Sequence, residues 1–96
     1  MHEQPAETAS DAFQRFMDII ATLRSENGCP WDREQTHESL RADTIEEAYE
    51  VVEAIEDGEP AKVAEELGDL MTVTALHAQI AADAGYKRLI LELGGS

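Results

Sequence analysis

Three observations predict an all-α protein, a small helical bundle of three long helices and shorter helical segments. Apolar residues recur at spacings of three and four, Pro and Gly fall at the junctions between those stretches, and no alternating strand pattern, internal repeat or low-complexity run interrupts them. The 96 residues amount to one domain. A chain of this size covers only roughly 60 to 65% of the surface it exposes when unfolded, so completion of the core by oligomerisation is expected.

Residues 1–9 mix Glu, Gln, Pro and Thr without periodicity and read as a loose tail, leaving a helical domain over 10–93 and an end at Gly94-Gly95-Ser96. Ser10 or Asp11 can cap a first helix carrying Phe13, Phe16, Met17, Ile20 and Leu23, which runs to about Glu26. Asn27-Gly28 stops it, and Pro30 disfavours helical geometry at Cys29. A short helical turn is expected over Glu34 to Leu40. Asp43 and Thr44 each precede a Glu by three positions, Glu46 and Glu47, the capping-box pattern for a second long helix. Its apolar face is Ile45, Ala48, Tyr49, Val52 and Ile55, with the glutamates opposite, and it ends near Asp57-Gly58. Pro60 suits the first turn of a third long helix. Gly85 closes that helix, and Tyr86 to Leu93 allows a fourth short one.

The formal charge is −14. Such a surface repels nucleic acid backbones and anionic membranes, so neither is an expected partner. It suits metal binding, and equally a plain soluble acidic protein or an acidic interaction protein. Cys29 is the only cysteine, which fits a reduced cytoplasmic setting. No signal peptide or membrane span is recognisable in the sequence.

The chemistry resides in the carboxylates. Residues three apart on a helix lie about 60° apart around its axis, so Glu47 with Glu50, and Glu66 with Asp69, can each present two carboxylates to one ion. The third long helix is apolar around most of its circumference, and Glu66 and Asp69 fall among Leu70, Val73, Leu76 and Ile80. Folding should therefore carry them toward a partially buried surface, where a carboxylate requires a counter-charge or a proton. The chain has only seven Lys and Arg, and none between Lys62 and Lys87. A divalent cation is the more economical partner, and an all-oxygen set suits Mg²⁺, with Mn²⁺ as a possible substitute. The short Gly58 turn makes the two helices antiparallel neighbours, bringing Glu46, Glu47 and Glu50 toward Glu66 and Asp69. A site of this kind performs phosphate chemistry.

Several segments in the same order resemble one family. Gly28-Cys29-Pro30-Trp31-Asp32, Glu34-Gln35-Thr36-His37-Glu38-Ser39-Leu40, Glu46-Glu47-Ala48-Tyr49-Glu50 and Glu66-Leu67-Gly68-Asp69-Leu70 are similar to MazG nucleoside triphosphate pyrophosphohydrolases, over about Phe13 to Gly85. The family's EExxE motif falls on Glu46, Glu47 and Glu50, and its ExxD motif on Glu66 and Asp69. The resemblance implies an all-α fold and Mg²⁺-dependent hydrolysis of a nucleoside triphosphate to monophosphate and pyrophosphate, in nucleotide clean-up, with the site assembled in a homodimer or homotetramer. Glu47, Glu50, Glu66 and Asp69 would be metal ligands, with Glu46 a further ligand or the group that positions water. After Gly85 the family's further basic helix and Arg-His-Pro-His segment are replaced by Lys87 and Arg88 alone. That departure keeps a second reading open, a nucleotide- or metal-binding module without turnover.

For substrate binding, Trp31 offers a face for a nucleobase or a plug for the core beside Pro30. His37 is a candidate phosphate or base partner or an ordinary exposed residue, and Arg24, Arg33 and Arg41 are candidate phosphate ligands. His77 reads as a satisfied core or interface residue, Tyr49 and Tyr86 as packing residues, and Cys29 lacks the neighbouring base that a nucleophile needs.

Overall fold

The computed structural model describes residues 7–86. The expectations for residues before Glu7, for a short helix over Tyr86 to Leu93 and for the Gly94-Gly95-Ser96 end lie outside the described residues, wholly or but for Tyr86. The described residues form four helices in order, α1 (Ala9–Leu23), α2 (Pro30–Glu34), α3 (Arg41–Asp57) and α4 (Pro60–Asp83). Among the described residues there is no strand, and no helix is long and apolar enough to cross a membrane.

Thr8, rather than Ser10 or Asp11, caps α1: its hydroxyl oxygen accepts from the Asp11 amide at 3.0 Å. The helix stops at Leu23, three residues short of Glu26, because the chain turns back on its own last turn. The Cys29 amide donates to Leu23 O at 2.9 Å and the Gly28 amide to Ser25 O at 2.9 Å. A Cβ on residue 28 would be driven into the carbonyl oxygens of Thr22 and Leu23, so this return admits only glycine. Two arginines staple it. Arg24 Nη1 donates to Asp32 O at 2.7 Å and Gln35 O at 3.0 Å, and Arg33 Nη1 to Glu26 O at 2.6 Å.

The short helix lies at Pro30–Glu34 instead of over Glu34 to Leu40, since proline's fixed φ is best used at a first helical position. Thr36 and Ser39 then close a turn reciprocally, the amide of each donating to the hydroxyl oxygen of the other at 2.8 and 3.0 Å. The turn leads straight into α3, so Asp43 and Thr44 are inside the helix rather than capping it, and the Thr44 hydroxyl donates back to Leu40 O at 2.7 Å. Gly58, at φ +71°, ends α3 in the left-handed region, and Pro60 opens α4 as the sequence indicates.

One core cluster is Ile20, Leu40, Ala75 and Leu76, flanked by Phe16, Met17, Leu23 and Ile80. The long α4 is its spine: α1 packs on it and α3 runs along it. The buried residues of α3 are Val51 and Ala54. Its predicted apolar face is turned the other way, with Ile45 73%, Tyr49 63% and Ile55 59% exposed. The inward stripe is instead Glu47, Glu50, Val51 and Ala54, so two of the glutamates opposite the predicted apolar face lie toward α4, while Glu46 stays exposed. Trp31, 57% exposed, does not plug the core, and Tyr86 is exposed as well.

Candidate metal and nucleotide site

The pairing of α3 with α4 brings the acidic motifs together. Thr44 meets His77, Glu47 approaches Asp69, and Glu50 approaches Glu66; ascending numbers on one helix meet descending numbers on the other, as in an antiparallel pair. One oxygen each of Glu47, Glu66 and Asp69 lies within 4.8 Å of the others. Glu50 is close enough for its charge to act on both Glu47 and Glu66. Glu46 is exposed one position before Glu47 and is not among the three whose oxygens converge.

The electrostatics of this cluster are unfavourable without a counter-ion. Desolvation, followed by the charges of Glu50, Asp69 and Glu46, raises the Glu47 carboxyl above its usual range. Glu66 is raised by desolvation first, then by Glu50, Asp69 and Glu47. The Oε2 atoms of both Glu47 and Glu66 are shut off from solvent and have no hydrogen-bond donor among the described residues. A carboxylate oxygen in that position is costly unless a proton or cation satisfies it. Three or four carboxylates with no nitrogen or sulfur donor form the set a hard divalent cation takes, so the residues present fit such an ion.

Other candidate residues are placed differently. Arg33 is engaged with the backbone of the α1–α2 turn, and Arg24 with the α2 backbone and with Asp83, its Nε 3.5 Å from Asp83 Oδ2. Arg41, the first residue of α3, is exposed with no side-chain partner among the described residues. His37 Nδ1 lies 2.8 Å from His77 Nδ1, and His77 Nε2 lies 2.9 Å from Thr44 Oγ1. The single Thr44 hydroxyl proton goes to Leu40 O, so its oxygen accepts from His77 Nε2–H. His77 Nδ1 therefore accepts from His37 Nδ1–H when both rings are neutral. Desolvation, and then the neighbouring His37, hold His77 below its usual pKa.

Beside the cluster is a cavity of about 440 Å³ that shares Glu47 and Asp69 with it and adds Trp31, Asp32, Asp43 and Thr72. In the sequence Asp43 reads only as a capping residue. The signal was the spacing Asp43, Glu47, Glu50, Ala54, which at four, three and four positions marks a single helix face as plainly as the apolar series does.

A profile described as the MazG nucleotide pyrophosphohydrolase domain matches residues 35–90, more than half of the chain and five residues beyond the Gly85 limit read from the sequence. The chain is 48% identical over 73 residues to the nucleoside triphosphate pyrophosphohydrolase/pyrophosphatase MazG of Thermotoga maritima, covering 76% of this chain and 29% of that protein. It is 43% identical over 72 residues to a nucleoside triphosphate pyrophosphohydrolase of Escherichia coli, covering 74% and 27%. With the uncharacterized protein YabN of Bacillus subtilis the identity is 51% over 74 residues, covering 77% and 15%. The chain thus spans less than a third of the length of these curated relatives. The match reaches across α3 and α4, where the carboxylates converge, and the chain belongs to the MazG nucleotide pyrophosphohydrolase family.

Proposed function

We propose that this chain hydrolyses nucleoside triphosphates to nucleoside monophosphate and pyrophosphate with Mg²⁺, or Mn²⁺ in its place. The observation that carries this reading is the convergence of Glu47, Glu66 and Asp69 within 4.8 Å, with two carboxylate oxygens sealed from water and lacking donors among the described residues. Glu47, Glu50, Glu66 and Asp69 would hold the ion. When bound it supplies a positive centre that screens phosphate charge and lowers the pKa of water. Glu46, exposed beside the cluster, is the group proposed to orient the attacking water. Of the candidate phosphate ligands Arg33 and Arg41, Arg41 is the freer, while His37 keeps only its Nε2 for substrate. Trp31 is the proposed base-stacking surface.

The reading includes a homodimer or homotetramer, supported by the exposed Ile45, Tyr49, Val52 and Ile55. The free Cys29 suits a reducing, cytoplasmic compartment. A second reading, metal-dependent nucleotide binding without turnover, is favoured by the commitment of Arg24 and Arg33 to backbone carbonyls. Pyrophosphate release from a panel of nucleoside triphosphates, with and without Mg²⁺, tests both. Metal-dependent release supports hydrolysis, and nucleotide binding without any release supports the second.

A further inference from the structure

We infer that the cavity beside the acidic cluster is a nucleobase subsite that selects bases presenting amino and imino hydrogens, guanine foremost, over thymine and uracil. The inference rests on the nucleotide reading above. At about 440 Å³ the cavity falls within the range of small-molecule sites. Because Glu47 and Asp69 belong to both cavity and cluster, a nucleotide with its phosphates at the cluster has its nucleoside end directed here. Leu40, Val73 and Leu76 are buried and supply an apolar floor. Trp31 leaves its indole exposed at the same cavity, and an aromatic face stacks on any base.

The polar lining is what discriminates. Asp32 and Asp43 are half-buried, and ionised carboxylates only accept hydrogen bonds. Among the described residues neither side chain has a hydrogen-bond or ion-pair partner. Thr72 gives its hydroxyl proton to Gly68 O at 2.9 Å, leaving an oxygen that can only accept. Apart from the Trp31 indole N–H, the polar groups of the side chains lining the cavity are the carboxylates of Asp32, Asp43, Glu47 and Asp69 and the Thr72 hydroxyl oxygen. The adjacent N1–H and 2-amino group of guanine match a carboxylate with two parallel hydrogen bonds, and the amino groups of adenine and cytosine offer one such contact each. Thymine and uracil present two carbonyl oxygens flanking a single N–H, so oxygen would face carboxylate. Such a mismatch at a half-buried carboxylate is worth about tenfold in affinity.

Trp31 is the only tryptophan of the chain, so its fluorescence reports stacking directly. The test is to titrate the protein, with Mg²⁺ present, with the deoxynucleoside monophosphates of guanine, adenine, cytosine, thymine and uracil. The guanine nucleotide should quench at about tenfold lower concentration than the thymine and uracil nucleotides, with the other two between. Asp43→Asn, which keeps the size and adds a donor, should narrow that ratio to about twofold, and Asp32→Asn serves if the first variant does not fold. Equal midpoints for all five, no quenching, or a ratio unchanged in the folded variants would overturn the subsite. Monophosphate binding requires no turnover. Unselective binding with intact pyrophosphate release therefore removes the subsite alone, and selective quenching without release removes hydrolysis alone.

Discussion

His37 and His77, forty positions apart, face each other ring to ring with Nδ1 atoms 2.8 Å apart and planes inclined by only 10°. One nitrogen must donate and the other accept, so the contact tolerates at most one proton between them. It joins the turn before α3 to the C-terminal half of α4, and through Thr44 to α3 itself.

His77 titrates below its ordinary value because of desolvation and then His37. The unfolded chain therefore binds the proton more readily than the folded one. The contribution of this contact to stability is complete above about pH 6.5 and is lost as pH falls through the lowered pKa of the folded state. Denaturant unfolding at pH 5 and pH 8 should show a larger pH difference for the wild type than for His77→Gln. At pH 8 the substitution should cost about 1 to 2 kcal/mol for the disturbed hydrogen bonds.

Glu47 and Glu66 carry the opposite linkage. Both carboxyls are raised in the folded state, by desolvation first and by their acidic neighbours after it. In the metal-free protein their contribution to stability is present below the ordinary carboxylate pKa and is lost as pH rises through the raised values. Metal-free Glu66→Gln should accordingly melt higher than the metal-free wild type at pH 7. Mg²⁺ or Mn²⁺ should raise the wild-type melting temperature, by linkage worth about 2.7 kcal/mol at a hundredfold excess over the dissociation constant, with little effect on the variant. No metal response in the wild type would remove the metal site.

On the catalytic side, Glu50→Gln and Asp69→Asn preserve size and remove charge. Each should lower kcat/KM by on the order of 2 to 4 kcal/mol in the barrier, measured as pyrophosphate release, while helical content by circular dichroism stays unchanged. Orthophosphate as the first product would contradict the proposed cleavage.

The exposed apolar face of α3 should bury itself against a second copy. Sedimentation equilibrium of the wild type is expected to show a dimer or tetramer at tens of micromolar. Val52→Asp should shift the population toward monomer, since that residue is half exposed here and sits among Ile45, Tyr49 and Ile55. A wild-type monomer at that concentration would contradict the expectation.

Gly28→Ala tests the return from α1. The added methyl collides with backbone carbonyls rather than with a yielding side chain, so the substitution should destabilise by about 1 to 3 kcal/mol. Chemical denaturation provides the measurement. A neutral result would mean that the turn relaxes at little cost.

The all-α class, the three long helices, the Asn27-Gly28 and Gly58 breaks and the carboxylate pairs follow from the sequence by itself. Periodicity, proline and glycine act within a few residues, and such local constraints are legible without a fold. Even the meeting of Glu47 with Asp69 followed from two helices joined by a turn too short to allow anything but an antiparallel return. Which face of α3 turns inward was decided only by the tertiary structure. Ile45, Tyr49, Val52 and Ile55 form the stronger apolar series, yet α3 meets α4 along Glu47, Glu50, Val51 and Ala54. Ala54, the one small residue of that stripe, is fully buried there, and which stripe meets α4 is a property of the pair that neither helix carries alone. The exposed placement of Trp31, the engagement of Arg33 by Glu26 O and the His37–His77 contact have the same origin. Each depends on atoms brought together from separate turns and helices, and side-chain spacing within one element cannot encode which distant group will lie opposite.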